Sequence, residues 1–279
     1  MAASTAEYVL GHSDRELERL SRQARLIEPI TREFFTDAGI VPGMRILDVG
    51  SGSGDVAFLA AEMAGVRGSV VGVDKAPAAI LTARRRAEAR SSSNVSFRKG
   101  DPVDISFDSR FDAVVGRYVL LFQADAAQML RRLAQCLQPG GIIVFHEPDW
   151  SMARSFPAAP TYDRCCRWIV AAGIRGGSNW NMAEKLHGVF RAAGLPAPKM
   201  RMKTFIDGGT EVVEWLRSVA EIAETLLPAM EKFGIATAVE VDVPTLAERM
   251  TQEVAQTNSV IIGRSEVGAW TRVHQEPTN

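Results

Sequence analysis

The chain has 279 residues, 46% hydrophobic and 23% charged, with a formal net charge of −1. This length suits one α/β domain with insertions, or one domain plus a smaller cap, and the composition is that of an ordinary globular protein. Near-neutral charge gives no global reason to expect a nucleic-acid partner, and no apolar run reaches the ~18 residues of a membrane span.

The first helix is announced by Ser13-Asp14-Arg15-Glu16, a capping-box pattern. Leu17, Leu20, Ala24 and Ile27 follow at helical spacing. Pro29 is expected to break or restart this helix, Phe34 and Phe35 to continue its apolar face, and Gly39 to stop it. The opening segment, MAASTAEYVLGHSDRE, has no signal-peptide core, so a cytoplasmic protein is expected.

From residue 44 short apolar runs alternate with helical stretches. Strands are expected at 44–49, 69–74, 95–100, 111–116 and 142–147, the last after a Pro139-Gly140-Gly141 turn. Helices are expected at 56–64 and 77–90, then on the face Ala126, Met129, Leu130, Leu133 and Leu137. The Arg84-Arg85-Arg86 cluster in the second of these is read as a solvated face. Further helices are expected near 160–173, 182–194, 211–226 and 243–256, with late strands at 199–206 and about 259–273. The alternation implies βαβ units and a parallel sheet buried on both faces. The domain reading is an N-terminal helical cap at 1–40, a Rossmann-like core at 41–150 and its continuation at 151–207. A helical insertion at 208–257 and a C-terminal strand region at 258–279 complete it, the helices capping the strand ends where open α/β sheets bind ligands. The three cysteines, Cys136, Cys165 and Cys166, have neither disulfide-framework nor metal-ligand spacing; reduced thiols and no metal are expected.

Gly50-Ser51-Gly52-Ser53-Gly54 follows one of these strands and opens a helix. A dinucleotide fingerprint needs a sixth-position glycine, where Asp55 stands. Asp48 and Asp55 bracket the loop and would repel a pyrophosphate at the helix N-terminus. S-adenosylmethionine (SAM) has no phosphate and carries a sulfonium and an ammonium against one carboxylate, so acidic neighbours suit it better. Asp74, ending the next strand, can accept from both hydroxyls of a ribose, and Asp101, after Gly100, from an adenine amine. As plain structure, Asp74 would be a helix cap and Asp101 a turn residue before Pro102.

The segments ILDVGSGSG, VVGVD, GDP and LQPGG, in this order, resemble the motifs of class I SAM-dependent methyltransferases. EYVLGHSDRELERL and GRYVLLF also resemble bacterial small-molecule methyltransferases of the UbiE-like, natural-product type. The resemblance covers about 40–150 well. It implies a seven-stranded, mostly parallel sheet whose last strand inserts antiparallel, with SAM lying across the first two strands. By that resemblance Asp48, Gly50, Ser51, Gly52 and Gly54 line the cofactor, Asp74 holds its ribose, and Gly100, Asp101 and Pro102 mark the adenine. Lys75 departs from the apolar residue often found after the ribose acid, though its aliphatic stem can cover the adenine face. Arg117 lies near the methionine end, which Tyr8 is the candidate to close from the N-terminal cap.

Methyl transfer needs alignment and exclusion of water, and a base only where the acceptor must lose a proton. His146 is the candidate base, with Tyr8 beside it; Glu147 and Trp150 are candidates to meet the acceptor. His12, Tyr118, Phe122, Trp180 and Asn181 complete an aromatic-walled acceptor pocket, whereas Trp168 and Trp215 are expected in the core. The bland alternative makes His146 a hydrogen-bonded strand residue and Glu147 a cap or ion-pair partner. The expected reaction is transfer of methyl from SAM to an O, N or C atom of a small organic acceptor, leaving S-adenosylhomocysteine. An RNA methyltransferase, a non-catalytic SAM-binding protein and an NAD-dependent oxidoreductase are the alternatives, and a homodimer stays open as the assembly.

Overall fold

The computed structural model describes residues 14–209 and 211–274, so Tyr8 and His12 lie outside the described residues. The elements run α1 (Asp14–Ala38), β1 (Arg45–Val49), α2 (Asp55–Ala64), β2 (Ser69–Asp74), α3 (Pro77–Ala89), β3 (Val95–Lys99) and β4 (Phe111–Arg117). A short 3-10 turn (Leu120–Phe122), α4 (Ala126–Ala134), β5 (Leu137–Asp149), β6 (Arg154–Phe156), α5 (Pro160–Arg175) and α6 (Met182–Ala192) follow. The chain then forms β7 (Lys199–Gly208), α7 (Val213–Lys232), α8 (Ala238–Val241), α9 (Val243–Thr257) and β8 (Val260–Arg272).

The strands form one eight-stranded sheet in the order β3-β2-β1-β4-β5-β8, with β7 and the short β6 both paired to β8. Strands β1 to β5 are parallel, while β8 runs antiparallel to β5. The mostly parallel sheet with an antiparallel late strand is therefore as expected, with one strand more than seven. β8 reaches past the end of β5, where Asp149 pairs with Ser265, and β6 covers the protruding Val260–Ile262. An otherwise bare stretch of main-chain donors and acceptors is thereby paired.

Ile46, Leu47, Ala113, Val114 and Val115 are fully buried, as expected of central strands covered on both faces. One face packs against α1, α2 and α3 through residues such as Phe35, Ala57 and Ile80. The other packs against α4 to α7 and α9 through Leu130, Tyr162, Leu186 and Leu226 among others.

Two local expectations change. Helix α1 runs through Pro29 without a break. Pro29 is exposed, so the carbonyl that loses its partner lies on the solvent side, while Phe34 and Phe35 are wholly buried against the sheet. Packing on that face outweighs the local cost of the proline. Pro139-Gly140-Gly141 is not a separate turn but part of β5, where the pairing with β4 shifts register between Phe111–Leu137 and Ala113–Ile142.

Candidate functional site

The sheet reverses direction of travel between β1 and β4, which opens a crevice at their C-terminal ends. The glycine loop lines it. Gly50 has φ +64°, and a Cβ there would sit 2.8 Å from Val119 Cγ2. Gly54, at φ +93°, starts α2, and a Cβ there would come within 2.7 Å of the Phe97 ring. Glycine is needed at both for backbone conformation and for space. Gly52 differs: a Cβ there would meet nothing within 4 Å, so the tip of the loop faces open space.

Behind the loop Asp48 is 1% exposed, and no side chain among the described residues hydrogen-bonds its carboxylate or Ser51 Oγ; the Ala57 N–H in the first turn of α2 is the backbone donor that faces Asp48. Burial pushes the Asp48 carboxyl well above the usual range, and Arg117 pulls it back. The other bracketing acid is occupied. Asp55 accepts from Arg86 at 2.7 Å and from Ser53 Oγ at 3.0 Å, and Arg86 also donates to the Ser53 carbonyl. Arg84 donates to the Phe97 carbonyl. Arg84 and Arg86 thus tie α3 to β3 and the glycine loop, while Arg84 and Arg85 stay exposed as read from sequence, and Asp55 meets its own cation. Repulsion of a phosphate at this loop falls to Asp48.

Asp74 accepts from the N–H of Gly52 at 2.9 Å and of Ala76 at 2.8 Å, one on each oxygen. A lone pair remains on each oxygen for a ribose hydroxyl. Lys75 is half-exposed and bridges to Asp101 at 2.7 Å. Asp101 also accepts from the Val103 N–H, while Gly100 packs under Ile105 and Pro102 is buried. The ribose and adenine candidates therefore stand along one edge of the crevice.

At the ends of β4, β5 and β8 the chain builds a buried polar cluster. Glu147 is wholly buried and accepts from the N–H of Val119 (3.0 Å), Leu120 (2.8 Å) and Leu121 (3.3 Å). It holds the turn that presses Val119 onto Gly50, and burial pushes its carboxyl up to about 8 against those three donors. Its oxygens serve the backbone rather than an acceptor. His146 is also wholly buried, with Nδ1 3.1 Å from Thr31 Oγ1 and Nε2 2.8 Å from Glu266 Oε2. Phe34 and Tyr118 stand edge-on to its ring. Burial pushes its imidazolium down while contact with Glu266 opposes this. With both nitrogens engaged, His146 is placed to position Glu266 and Tyr118 rather than to take a proton from an acceptor.

Tyr118 sits at φ +59°, a conformation that costs a bulky residue strain and turns the chain sharply out of β4. Its hydroxyl donates to Glu266 Oε2 at 2.7 Å and accepts from Arg264 Nη2 at 2.8 Å. Arg264 Nε donates to Glu266 Oε1 at 2.8 Å. Burial pushes Glu266 up, but Arg264 and the bonds from His146 and Tyr118 outweigh it and hold the carboxyl at about 2. Arg117, half-buried, donates to Thr31 Oγ1 at 3.2 Å.

Beyond Tyr118 lies an aromatic wall. Trp150 stands 6.0 Å from Trp180 and 6.4 Å from Trp215 between ring centroids, and Trp215 stacks on Phe205. Trp215 is buried in the core, as expected, and backs this wall. Phe122 is half-buried against the core and Asn181 is exposed at the start of α6. Thr31, Arg264 and Glu266 were missed in the sequence. The visible signal was Arg264 and Glu266 two apart in an apolar strand, hence on one face. A separate groove of about 860 Å³ lies between segment 103–110 and α4 and contains none of these residues.

Comparison with known proteins bears on this arrangement. Residues 40–194 match the family described as methyltransferase domain. The chain belongs to this methyltransferase-domain family. Among its relatives, aklanonic acid methyltransferase DauC of Streptomyces sp. (strain C5) is 40% identical over 137 residues, 46% of this chain and 62% of that protein. A 2-phytyl-1,4-naphtoquinone methyltransferase of Synechococcus elongatus is 37% identical over 136 residues, 47% of this chain and 57% of that protein. The matched part thus spans about three fifths of these relatives' lengths. In fold, this methyltransferase-domain chain is similar to YcgJ of Bacillus subtilis, with TM-score 0.54 and 15% identity over 90% of this chain and 100% of that one. No helix among the described residues is long and apolar enough to cross a membrane, and no group of three or more candidate metal ligands occurs among them.

Proposed function

We propose that the protein transfers a methyl group from SAM to a small organic acceptor. The observation that carries this is the buried carboxylate of Asp48 behind an open-tipped glycine loop, with no side-chain hydrogen-bond partner among the described residues and the Ala57 N–H facing it. A buried carboxylate calls for a cation or donors, which the ammonium end of SAM supplies and a pyrophosphate does not. Membership in the methyltransferase-domain family and small-molecule methyltransferases among the relatives support the same reading.

In this reading Gly50, Ser51, Gly52 and Gly54 allow close backbone approach, and Asp74 accepts from the ribose. Gly100, Asp101 and Pro102 edge the adenine, with Lys75 folded over it. Arg117 receives the methionine carboxylate, and Tyr8 and His12 belong to a segment that completes the methionine and acceptor end. SAM supplies a methyl group already activated on a sulfonium. The chain's own residues orient the partners and exclude water. Tyr118, Trp150 and Trp180 wall the acceptor space; Phe122 and Asn181 border it. Glu147 and His146 hold that wall in place. Helix α1 on one face of the sheet and the helices of 208–257 on the other enclose the 41–150 core, which 151–207 and the C-terminal strand continue.

Calorimetric titration with SAM, S-adenosylhomocysteine and NAD tests the cofactor, and labelled SAM with a metabolite extract tests the transfer. Saturable binding of SAM and its product is expected. NAD binding without SAM binding would overturn the reading.

A further inference from the structure

The aromatic wall contains a guanidinium with one edge that the fold does not engage. Arg264 is 3% exposed, and its guanidinium lies 5.3 Å from the Tyr118 ring centroid, 5.4 Å from that of Trp150 and 5.5 Å from that of Trp215. Nε is taken by Glu266 and Nη2 by Tyr118. Nη1 makes no hydrogen bond among the described residues. A guanidinium offers its donors in a rigid planar fork, so an edge left open after two others are engaged is a shaped anion site.

Charge points to the same edge. Arg117 and Arg264 bring two positive charges to the strand ends, where Glu266 is the carboxylate held ionised. Burial drives Glu147 towards its neutral form. Glu266 balances Arg264 and the methionine carboxylate would balance Arg117, so what is left for an acceptor is the unengaged Nη1 donor edge of Arg264 and not a surplus charge. The two side chains expected to handle an acceptor proton, His146 and Glu147, are both committed to internal hydrogen bonds.

We infer that Arg264 Nη1 binds an ionised oxygen of a planar aromatic acceptor, a carboxylate or a comparably acidic enol or phenol, held among Tyr118, Trp150, Trp180 and Trp215. This inference rests on the methyltransferase reading and names its substrate class. An ionised oxygen brings its own electron pair to the new O–C bond. The pair of the broken C–S bond stays on sulfur, and no proton has to be removed. A site whose titratable side chains are locked is suited to such an acceptor.

The test compares two probes of one shape, 1-naphthoate and 1-naphthamide, by calorimetry on protein saturated with S-adenosylhomocysteine. Naphthoate is expected to bind about tenfold or more tighter, the gain from a charge-assisted hydrogen bond. The preference should vanish in the Arg264→Gln/Glu266→Gln double variant, which removes both buried charges together rather than stranding one. That variant should still bind S-adenosylhomocysteine. Equal binding of the two probes, no naphthoate binding, or a preference that survives in the double variant overturns the inference. So does naphthoate that competes with the cofactor product instead of binding beside it. The wild-type comparison needs no variant and is repeated without the product. Failure to bind the product would count against the methyltransferase reading, whereas loss of the probe preference alone counts against Arg264.

Discussion

Glu147→Ala removes the acceptor for three buried N–H groups, those of Val119, Leu120 and Leu121. A buried donor left unsatisfied costs about 1–3 kcal/mol. Two of the three bonds are short, 3.0 and 2.8 Å, and the third is 3.3 Å and weaker. Partial relaxation of the turn and entry of water limit the sum, so a loss of about 3–4 kcal/mol is expected. At about 2–4 °C per kcal/mol for a chain of this size, Tm should fall by roughly 6–15 °C. Val119 presses on Gly50, so affinity for S-adenosylhomocysteine should fall as well. Glu147→Gln keeps one carbonyl oxygen for two donors but turns an amide donor towards the third. It should cost about 1–2 kcal/mol. Thermal melts and product titrations on both variants read these effects. A Glu147→Ala protein with unchanged Tm and unchanged affinity would refute the view that Glu147 holds the turn. Equal losses in Ala and Gln variants would assign the effect to charge instead of hydrogen bonds.

Gly54→Ala meets both positive φ and the Phe97 ring at 2.7 Å, so a loss of about 2–4 kcal/mol in urea unfolding is expected. Asp74→Ala should weaken SAM binding roughly 30–100-fold by calorimetry, because two ribose hydrogen bonds go and Gly52 loses its N–H acceptor. His146→Gln keeps a donor towards Glu266, so turnover should fall less than about tenfold; a loss of 10²–10⁴-fold would restore the base role. Two buried carboxyls give opposite pH limbs. Glu266, held at about 2, contributes stability that is present above its ordinary value of 4.5 and lost as pH falls towards 2. Glu147, raised to about 8, contributes stability that is full below 4.5 and lost as pH rises through 8. Urea unfolding across pH should show a flatter acid limb in Glu266→Gln and a flatter alkaline limb in Glu147→Gln than in the wild type; unchanged limbs would deny these carboxyls their roles.

The βαβ rhythm, the parallel sheet and the glycine loop were legible in the chain because each rests on local chemistry. Apolar runs of strand length bounded by turn residues make buried strands, and a glycine at positive φ tolerates few substitutes. The places of Asp74, at the end of β2, and of Asp101, just past β3, were legible for a related reason: the strand boundaries follow from the same apolar runs. The helix through Pro29 and the strand through Pro139-Gly140-Gly141 were misjudged, since in both the packing of neighbours overrode a local breaker. What only the tertiary structure decided is who meets whom at the strand ends. His146 and Glu147 are consecutive in sequence, yet one contacts Thr31 and Glu266 while the other caps the turn at Val119. Arg264, unremarked in a one-dimensional reading, and Trp215, read as core, come together with Tyr118 and Trp150 through β8 and α7. Sequence patterns report each residue's own conformation and burial. Hydrogen bonds and ion pairs between distant segments arise only when the sheet order brings those segments side by side, and at this site they determine which polar groups are engaged internally and which donor edge is left for a ligand.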